Sequence, residues 1–452
     1  MQPKVSMVIS CYNKVNYISD MLDSVLTQKW DNIEIILIND GSDDGTRTVI
    51  GKYEGKLRDR GYEVVIVDQE NQGVAAVVRN GLKLVTGEFV CIPDCDDLLH
   101  EEYVSAMVNV LEQFPDVNCV VCDEIRNRWD VGFAPVVNIS TTTVVSNYNQ
   151  NLLASYIMRK ISTSVAVLMF RSILIHKLDL IKNFITHLSQ TQEDQIWIPI
   201  LSSEKSIIHL HRPLYSYILR ANSIVTSQID IEQISKYAET RSLLSQNTLK
   251  NCMDSMNKLE LHLFLLTLCK YSFVIRRISR NQQLENYKEY YVHKFVEAVN
   301  ETDFLPCKLD EYVDRKIGFS VAFNAVSNYL TQYSPEKKNT LPTVRDTKGR
   351  LIAYGAGFVA KSALEDFVKC NIVPNEIWDI KAQQGDHLFE IPLTPPDFDS
   401  LKIEDTVIIF LYGNQNVEYE LRKTNSNIFY FQDVLNDLSA ECFAELVVKQ
   451  EE

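Results

Sequence analysis

Between residues 4 and 125 short apolar runs alternate with helical patterns, and this alternation limits the fold more than any other property of the chain. Strands read at 5–10, 33–40, 62–68, 88–93 and 118–123, with helical periodicity near 16–28, 46–59, 73–85 and 101–113. Strands apolar along their whole length need cover on both faces, so the pattern specifies an α/β domain around a mostly parallel sheet. Sheets of this kind bind ligands beyond the C-terminal ends of their strands. The residues following each run are therefore the first place to look for chemistry.

One run ends unusually. Glu88-Phe89-Val90-Cys91-Ile92-Pro93 passes directly into Asp94-Cys95-Asp96-Asp97, three carboxylates in four residues. Such neighbours repel, and a hard divalent cation with oxygen ligands, shared with phosphate, would relieve them. A solvated acidic turn ahead of the helix near Glu101 is the other reading. The first strand closes in Val8-Ile9-Ser10-Cys11-Tyr12-Asn13, and the second in Asn39-Asp40-Gly41-Ser42-Asp43-Asp44-Gly45-Thr46. Asp40 can accept a hydrogen bond from a nucleobase N–H or a ribose hydroxyl, and Gly41 admits a ligand close to the backbone. Asp43, Asp44 and Thr46 suit turn and capping roles. Asn71-Gln72-Gly73 adds a polar turn, and Arg79-Asn80-Gly81 a helix-borne cation that can meet a ligand or pair with a carboxylate. Polar groups thus converge on one sheet edge, as a nucleotide crevice requires.

The 452 residues exceed one ordinary core. We divide them into 1–228, a helical segment and linker at 229–345, and 346–452. Residues 126–163 read as loops bordering a site, followed by a strand at Val165–Phe170, the acidic Gln192-Glu193-Asp194-Gln195 and a strand at Ser206–Ile218. Asp194 suits a helix N-terminus as well as a catalytic site. Residues 334–348 read as a linker. The net charge of −15 argues against nucleic acid as a partner. Met1-Gln2-Pro3-Lys4 carries no targeting pattern, and the longest apolar run, Leu261–Cys269, includes His262 and is too short to span a membrane. A cytoplasmic protein is expected. Cys91, Cys95, Cys119 and Cys122 have ligand-like spacing, but residues three apart on a strand face opposite ways, so isolated buried thiols are the better reading.

The basic cluster Lys270, Arg276, Arg277 and Arg280, beside Leu261–Leu268, leaves open peripheral contact with the inner face of a membrane. A helix with an apolar core face and a basic solvated face is the better reading. The last segment reads as a small α/β unit of about four strands. It carries Gly355-Ala356-Gly357 after one strand and Asp379 after the next, the spacing of a dinucleotide turn. Assembly and nucleotide binding at Gly355, Gly357 and Asp379 both stay open.

Over residues 4–225 the motifs Val8–Asn13, Asn39–Thr46, Asn71–Gly73, Arg79–Gly81, Thr86-Gly87-Glu88, Asp94–Asp97 and Glu193-Asp194 resemble those of inverting family 2 glycosyltransferases of GT-A fold. The resemblance implies a transferase of hexosyl or N-acetylhexosaminyl type, moving sugar from a nucleotide-sugar, usually a UDP-sugar, to a glycan or lipid-linked glycan of the cell surface. It implies Mn²⁺ or Mg²⁺ at Asp96 and Asp94, the nucleobase at Asp40 and the catalytic base at Asp194. Donor contacts are implied at Cys11, Tyr12, Asn13, Asn71, Gly73, Arg79, Cys95 and Glu193. After the closing strand, relatives often carry Tyr-Arg-x-His-x-x-Ser; here Ile218 takes the Arg place and Arg220 the His place, followed by Ser223. Arg220 and Ser223 are expected at the diphosphate. Residues 346–452 resemble the small Rossmann-like domain appended to bacterial sugar-modifying enzymes and sugar transferases. A bifunctional enzyme binding a (di)nucleotide there is the alternative reading, and self-association stays open.

Overall fold

A computed structural model describes residues 2–128, 145–147, 152–158, 164–186, 192–219, 230–252, 256–278, 282–301, 304, 309, 319–331, 340–355, 358–379, 382–383, 385–410, 421 and 427–448. The chain forms two compact units, Met1–Ser227 with Glu239–Leu266, and Gln228–Ala238 with Thr267–Glu452. The expected helical segment is thus shared between them.

In the first unit β1 (Val5–Cys11), α1 (Ile18–Leu26), β2 (Ile33–Asp40), α2 (Thr46–Asp59), β3 (Glu63–Gln69), α3 (Val74–Leu82) and β4 (Phe89–Cys91) alternate as the apolar runs predict. There follow β5 (Leu98–Leu99), α4 (Tyr103–Gln113), β6 (Cys119–Arg128), β7 (Val145–Asn147), α5 (Leu152–Ile157), β8 (Leu168–Arg171), α6 (Ile173–Lys177), α7 (Leu180–Asn183), α8 (Gln192–Ser203), β9 (Ile208–Leu219) and α9 (Ile231–Cys252), the last crossing into the second unit. The sheet runs β3-β2-β1-β4-β8-β6-β9-β5, with β7 against β9. β3, β2, β1 and β4 are mutually parallel, and β8 enters antiparallel to β4 and β6. This is the α/β class expected.

All eight residues of β2 are buried, which explains its apolar stretch Ile35-Ile36-Leu37-Ile38. Of its two acids, Glu34 accepts hydrogen bonds from Ser6 Oγ, Thr86 N (3.0 Å) and Thr86 Oγ1 (2.6 Å), so its buried carboxyl is satisfied. Gly87 completes this knot: its N–H donates to Ser6 Oγ (2.8 Å), and a Cβ there would lie 2.8 Å from Lys4 O. The Thr86-Gly87-Glu88 motif therefore fastens β4 beside β1.

Three expectations need correction. Within residues 126–163, read as loops, α5 is a helix buried at every position; burial all round erases the amphipathic period that marks a helix. At Val165–Phe170 a turn of 3₁₀ helix, Val165–Val167, precedes the strand. Its Ser164 side chain accepts from Ala166 N. The expected linker 334–348 includes a helix at Thr340–Arg345, whose Pro342 lies in the first turn, where proline is tolerated.

In the second unit come α10 (Met256–Ile278, which begins in the first unit), α11 (Lys288–Asn300), α12 (Phe319–Thr331), α13 (Thr340–Arg345), β10 (Leu351–Tyr354), α14 (Phe358–Lys369), β11 (Glu376–Trp378), β12 (His387–Leu388), β13 (Ile391–Thr394), β14 (Thr406–Ile409), β15 (Asn427–Tyr430) and α15 (Phe431–Val448). The sheet has six strands, not about four, in the order β12-β13-β11-β10-β14-β15. β12 and the proline-containing β13 are too short to signal themselves. Arg350 ties strand ends together through Asp405 Oδ2 (2.8 Å) and Glu376 Oε1 (2.8 Å). Of the basic cluster, Lys270 lies over the Tyr271 ring, Arg277 over Phe273 and Arg276 over Phe323, while Arg280 is outside the described residues. Among the described residues no helix is long and apolar enough to cross a membrane. The thiols of Cys91, Cys95, Cys119 and Cys122 are buried and unbonded to one another.

Candidate active site

The ends of β1 and β4 are held together past the regular pairing by a bridge between Ser10 and Asp94. Cys11 and Cys95 turn their side chains into the hydrophobic core, whereas Tyr12 is 45% exposed. Asn13 adopts a left-handed backbone (φ 50°), which asparagine tolerates. Its N–H donates to Ser42 Oγ (3.1 Å), and its Oδ1 accepts from Asp43 N (3.0 Å). Lys14 N donates to Thr46 Oγ1 and Val15 N to Asp44 Oδ2. Asp44 also accepts from Thr46 N (2.9 Å). The acidic turn after β2 thus moulds the loop after β1.

The three carboxylates of Asp94–Asp97 have three different surroundings. Asp97 is 1% exposed and accepts from Tyr215 Oη (2.8 Å) and Ile218 N (2.9 Å), bolting β9 to the loop. Asp96 Oδ2 meets Lys14 Nζ at 2.6 Å. Burial, then the charges of Asp97, Asp96 and Glu193, push the Asp94 carboxyl well above its ordinary range. Asp94 and Asp96 thus keep partial exposure, whereas Asp97 does not. Lys14 was not foreseen; its signal is that it is the first cation after β1.

Asp40 is 2% exposed and spends its oxygens on its own chain: Gln69 Nε2 (2.7 Å), Gln72 N (2.9 Å) and Gly73 N (2.9 Å). Gly41 (φ 70°) makes its close approach to the backbone, but to Asn71, whose N would lie 2.9 Å from a Cβ. Asp40 and Gly41 therefore shape the Asn71–Gly73 turn that opens α3 with Gly73 at φ 84°. Asn71 is exposed. Arg79 on α3 touches Asn80 Oδ1 only at 3.5 Å, and its buried Nε has no hydrogen-bond partner. Gly81, behind it, lets α3 press onto Val8, whose Cγ1 would lie 2.3 Å from a Cβ.

Glu193 and Asp194 open α8 and part company. Asp194 is 4% exposed. It accepts from Tyr156 Oη (2.6 Å), Ser245 Oγ (2.8 Å) and Arg241 Nε (3.2 Å). Glu193 is half-buried, and its charge reaches Asp94. Tyr156, Arg241 and Ser245 lie 38, 47 and 51 residues from Asp194, so no local motif reveals them.

Arg220 and Ser223 lie outside the described residues, as does Gly357. Gly355 (φ 102°) ends β10 and donates its N–H to Trp378 O (2.7 Å). Asp379 N donates to Thr394 O (2.9 Å).

Residues 6–174 match the family model described as Glycosyl transferase family 2. EpsH of Bacillus subtilis is 35% identical over 130 residues, covering 29% of this chain and 36% of that protein. Glycosyltransferase GlyA of Streptococcus pneumoniae is 30% identical over 111 residues, covering 25% of this chain and 15% of that protein. The chain thus spans about a third of the first and a smaller part of the second. The crystal structure of S. aureus TarS 1–349 aligns with a TM-score of 0.48 and 18% identity, covering 72% of this chain and 86% of that one. The family match takes in β1 and the acidic ends of β2 and β4, and the chain carries a glycosyltransferase family 2 domain in its first unit.

Proposed function

We propose that the first unit transfers a sugar from a UDP-sugar to a hydroxyl of a growing cell-surface glycan, inverting the anomeric centre. The observation that carries this reading is the Asp94/Asp96 pair beyond β4. Lys14 stands beside Asp96 as a positive charge, and Asp94 is driven towards its protonated form by burial among acids. This all-oxygen, charge-strained pair fits Mn²⁺ or Mg²⁺, with Asp96 and Asp94 as the residues that hold it. Bound there, the ion would neutralise charge developing on the leaving diphosphate.

The chain's own groups supply the rest. Asp40 keeps the Asn71–Gly73 turn at the base-binding end of the crevice. Arg79 offers its unspent Nε, and Lys14 its ammonium, to the diphosphate. Asp194 takes the acceptor proton, and to do so it gives up one of the hydrogen bonds from Tyr156, Ser245 or Arg241. A second reading gives that step to Glu193, whose charge already reaches Asp94. In the second unit, β10 ending in left-handed Gly355 beside β11 favours (di)nucleotide binding there as an accessory function.

The test is a screen of nucleotide-sugars with Mn²⁺, followed by NMR of the transferred sugar. A UDP-sugar should be consumed, with product of anomeric configuration opposite to the donor. Retained configuration, or turnover unaffected by chelation, would overturn the proposal.

A further inference from the structure

A second cluster of metal-ligating side chains lies away from Asp94 and Asp96. Asp123 on β6 and His209 and His211 on β9 bring one ligand atom each to within 4.8 Å of one another. His209 Nε2 is 2.6 Å from Asp123 Oδ1, and His211 Nδ1 is 3.9 Å from Asp123 Oδ2. The two imidazole centroids are 4.0 Å apart.

Strand geometry explains the convergence. His209 and His211 are two apart on β9 and so share a face. β6 runs parallel to β9 with Val121 opposite His209, and Asp123, two residues on, is on that face also. The register then slips, so that Asp123 pairs with Pro213 and the strand carrying the histidines has extra residues opposite it. A bulge of this kind re-aims side chains at a sheet edge.

We propose that Asp123, His209 and His211 form a transition-metal site, with Zn²⁺ as the ion that two imidazole nitrogens and one carboxylate oxygen select. Magnesium and calcium prefer oxygen alone, so this site differs in chemistry from the Asp94/Asp96 pair. Side-chain exposures of 38%, 18% and 38% for Asp123, His209 and His211 leave the cluster within reach of solvent. Matching Cys91, Met169 and Val120 across β4, β8 and β6 places Asp123 level with Asp94 at the same strand ends, two strand spacings or about 10 Å away.

The test is calorimetric titration of the chelator-treated full chain with Zn²⁺ and with Mg²⁺, using wild type, His211→Ala, His209→Gln and Asp96→Ala. Circular dichroism confirms that each variant is folded. One Zn²⁺ should bind per chain, Mg²⁺ should not compete, and each histidine variant should bind Zn²⁺ at least about tenfold more weakly. Unchanged Zn²⁺ affinity in both folded histidine variants would overturn the site. So would loss of Zn²⁺ binding in Asp96→Ala, which would place the ion at the donor crevice.

Discussion

Replacing Asp194 with alanine should destabilise the first unit markedly, whatever it does to turnover. The carboxylate is 4% exposed and accepts from Tyr156, Ser245 and Arg241. Its removal takes a 2.6 Å acceptor from the Tyr156 hydroxyl, on a residue 2% exposed, at a cost of about 1–3 kcal/mol. Ser245 loses less, because its hydroxyl can turn to Arg241 O at 2.9 Å. Arg241, 21% exposed in its side chain, reaches water, which reduces the usual cost of breaking a buried pair. Together these give about 3 kcal/mol, at the low end of the range for a broken buried ion pair. Tyr156→Phe alone should cost about 1 kcal/mol, since the carboxylate keeps its other donors. The double variant should be more stable than the two single losses predict, because both changes remove the same Tyr156–Asp194 bond. Urea unfolding followed by fluorescence reads this, with buried Trp197 only 5.5 Å from the Tyr156 ring. An Asp194→Ala protein within about 0.5 kcal/mol of wild type would refute the anchoring role and match an ordinary surface substitution.

Other outcomes follow from the same geometry. If Asp194 takes the acceptor proton, Asp194→Asn should lower turnover by about 10²–10⁴-fold while sparing donor binding, and Glu193→Gln should not; the reverse pattern, in matched kinetic assays, transfers the role to Glu193. Gly87→Ala should cost about 1–3 kcal/mol, because its methyl group would meet backbone atoms of Lys4 and Ser6 at 2.8 Å; unchanged unfolding in urea would contradict this packing. Burial pushes Asp366 from 3.8 up to about 6 while it accepts from Ser320 N (3.0 Å). Between those values the unfolded chain has released a proton that the folded one keeps, so stability falls as pH rises through that window. Asp366→Asn should therefore gain on wild type between pH 4 and pH 7, by at most about 3 kcal/mol; an equal difference at both values would contradict it.

The alternation of apolar runs was legible in the sequence because parallel strands buried on both faces leave no polar interruption, and β1 to β4 fall where the runs lie. The acidic ends were legible as a group but not individually. Nothing local distinguishes Asp97, which faces Tyr215 and Ile218 some 120 residues away, from Asp96, which faces Lys14. For the same reason the bonds of Asp40 to Gln69, Gln72 and Gly73, some 30 residues on, could not be read locally. Helix α5 was hidden by uniform burial, and β12 and β13 by brevity. The cluster at Asp123 depends on a register slip between distant strands, which spacing along the chain does not encode.

Asp96 is proposed to hold the cation through which the donor's diphosphate binds, and calorimetry of UDP binding to wild type and Asp96→Ala, each with and without Mn²⁺, is the decisive experiment. Wild type should bind UDP tightly only with Mn²⁺, and the variant should lose that dependence together with the affinity. A variant that binds Mn²⁺ and UDP as tightly as wild type would contradict the account.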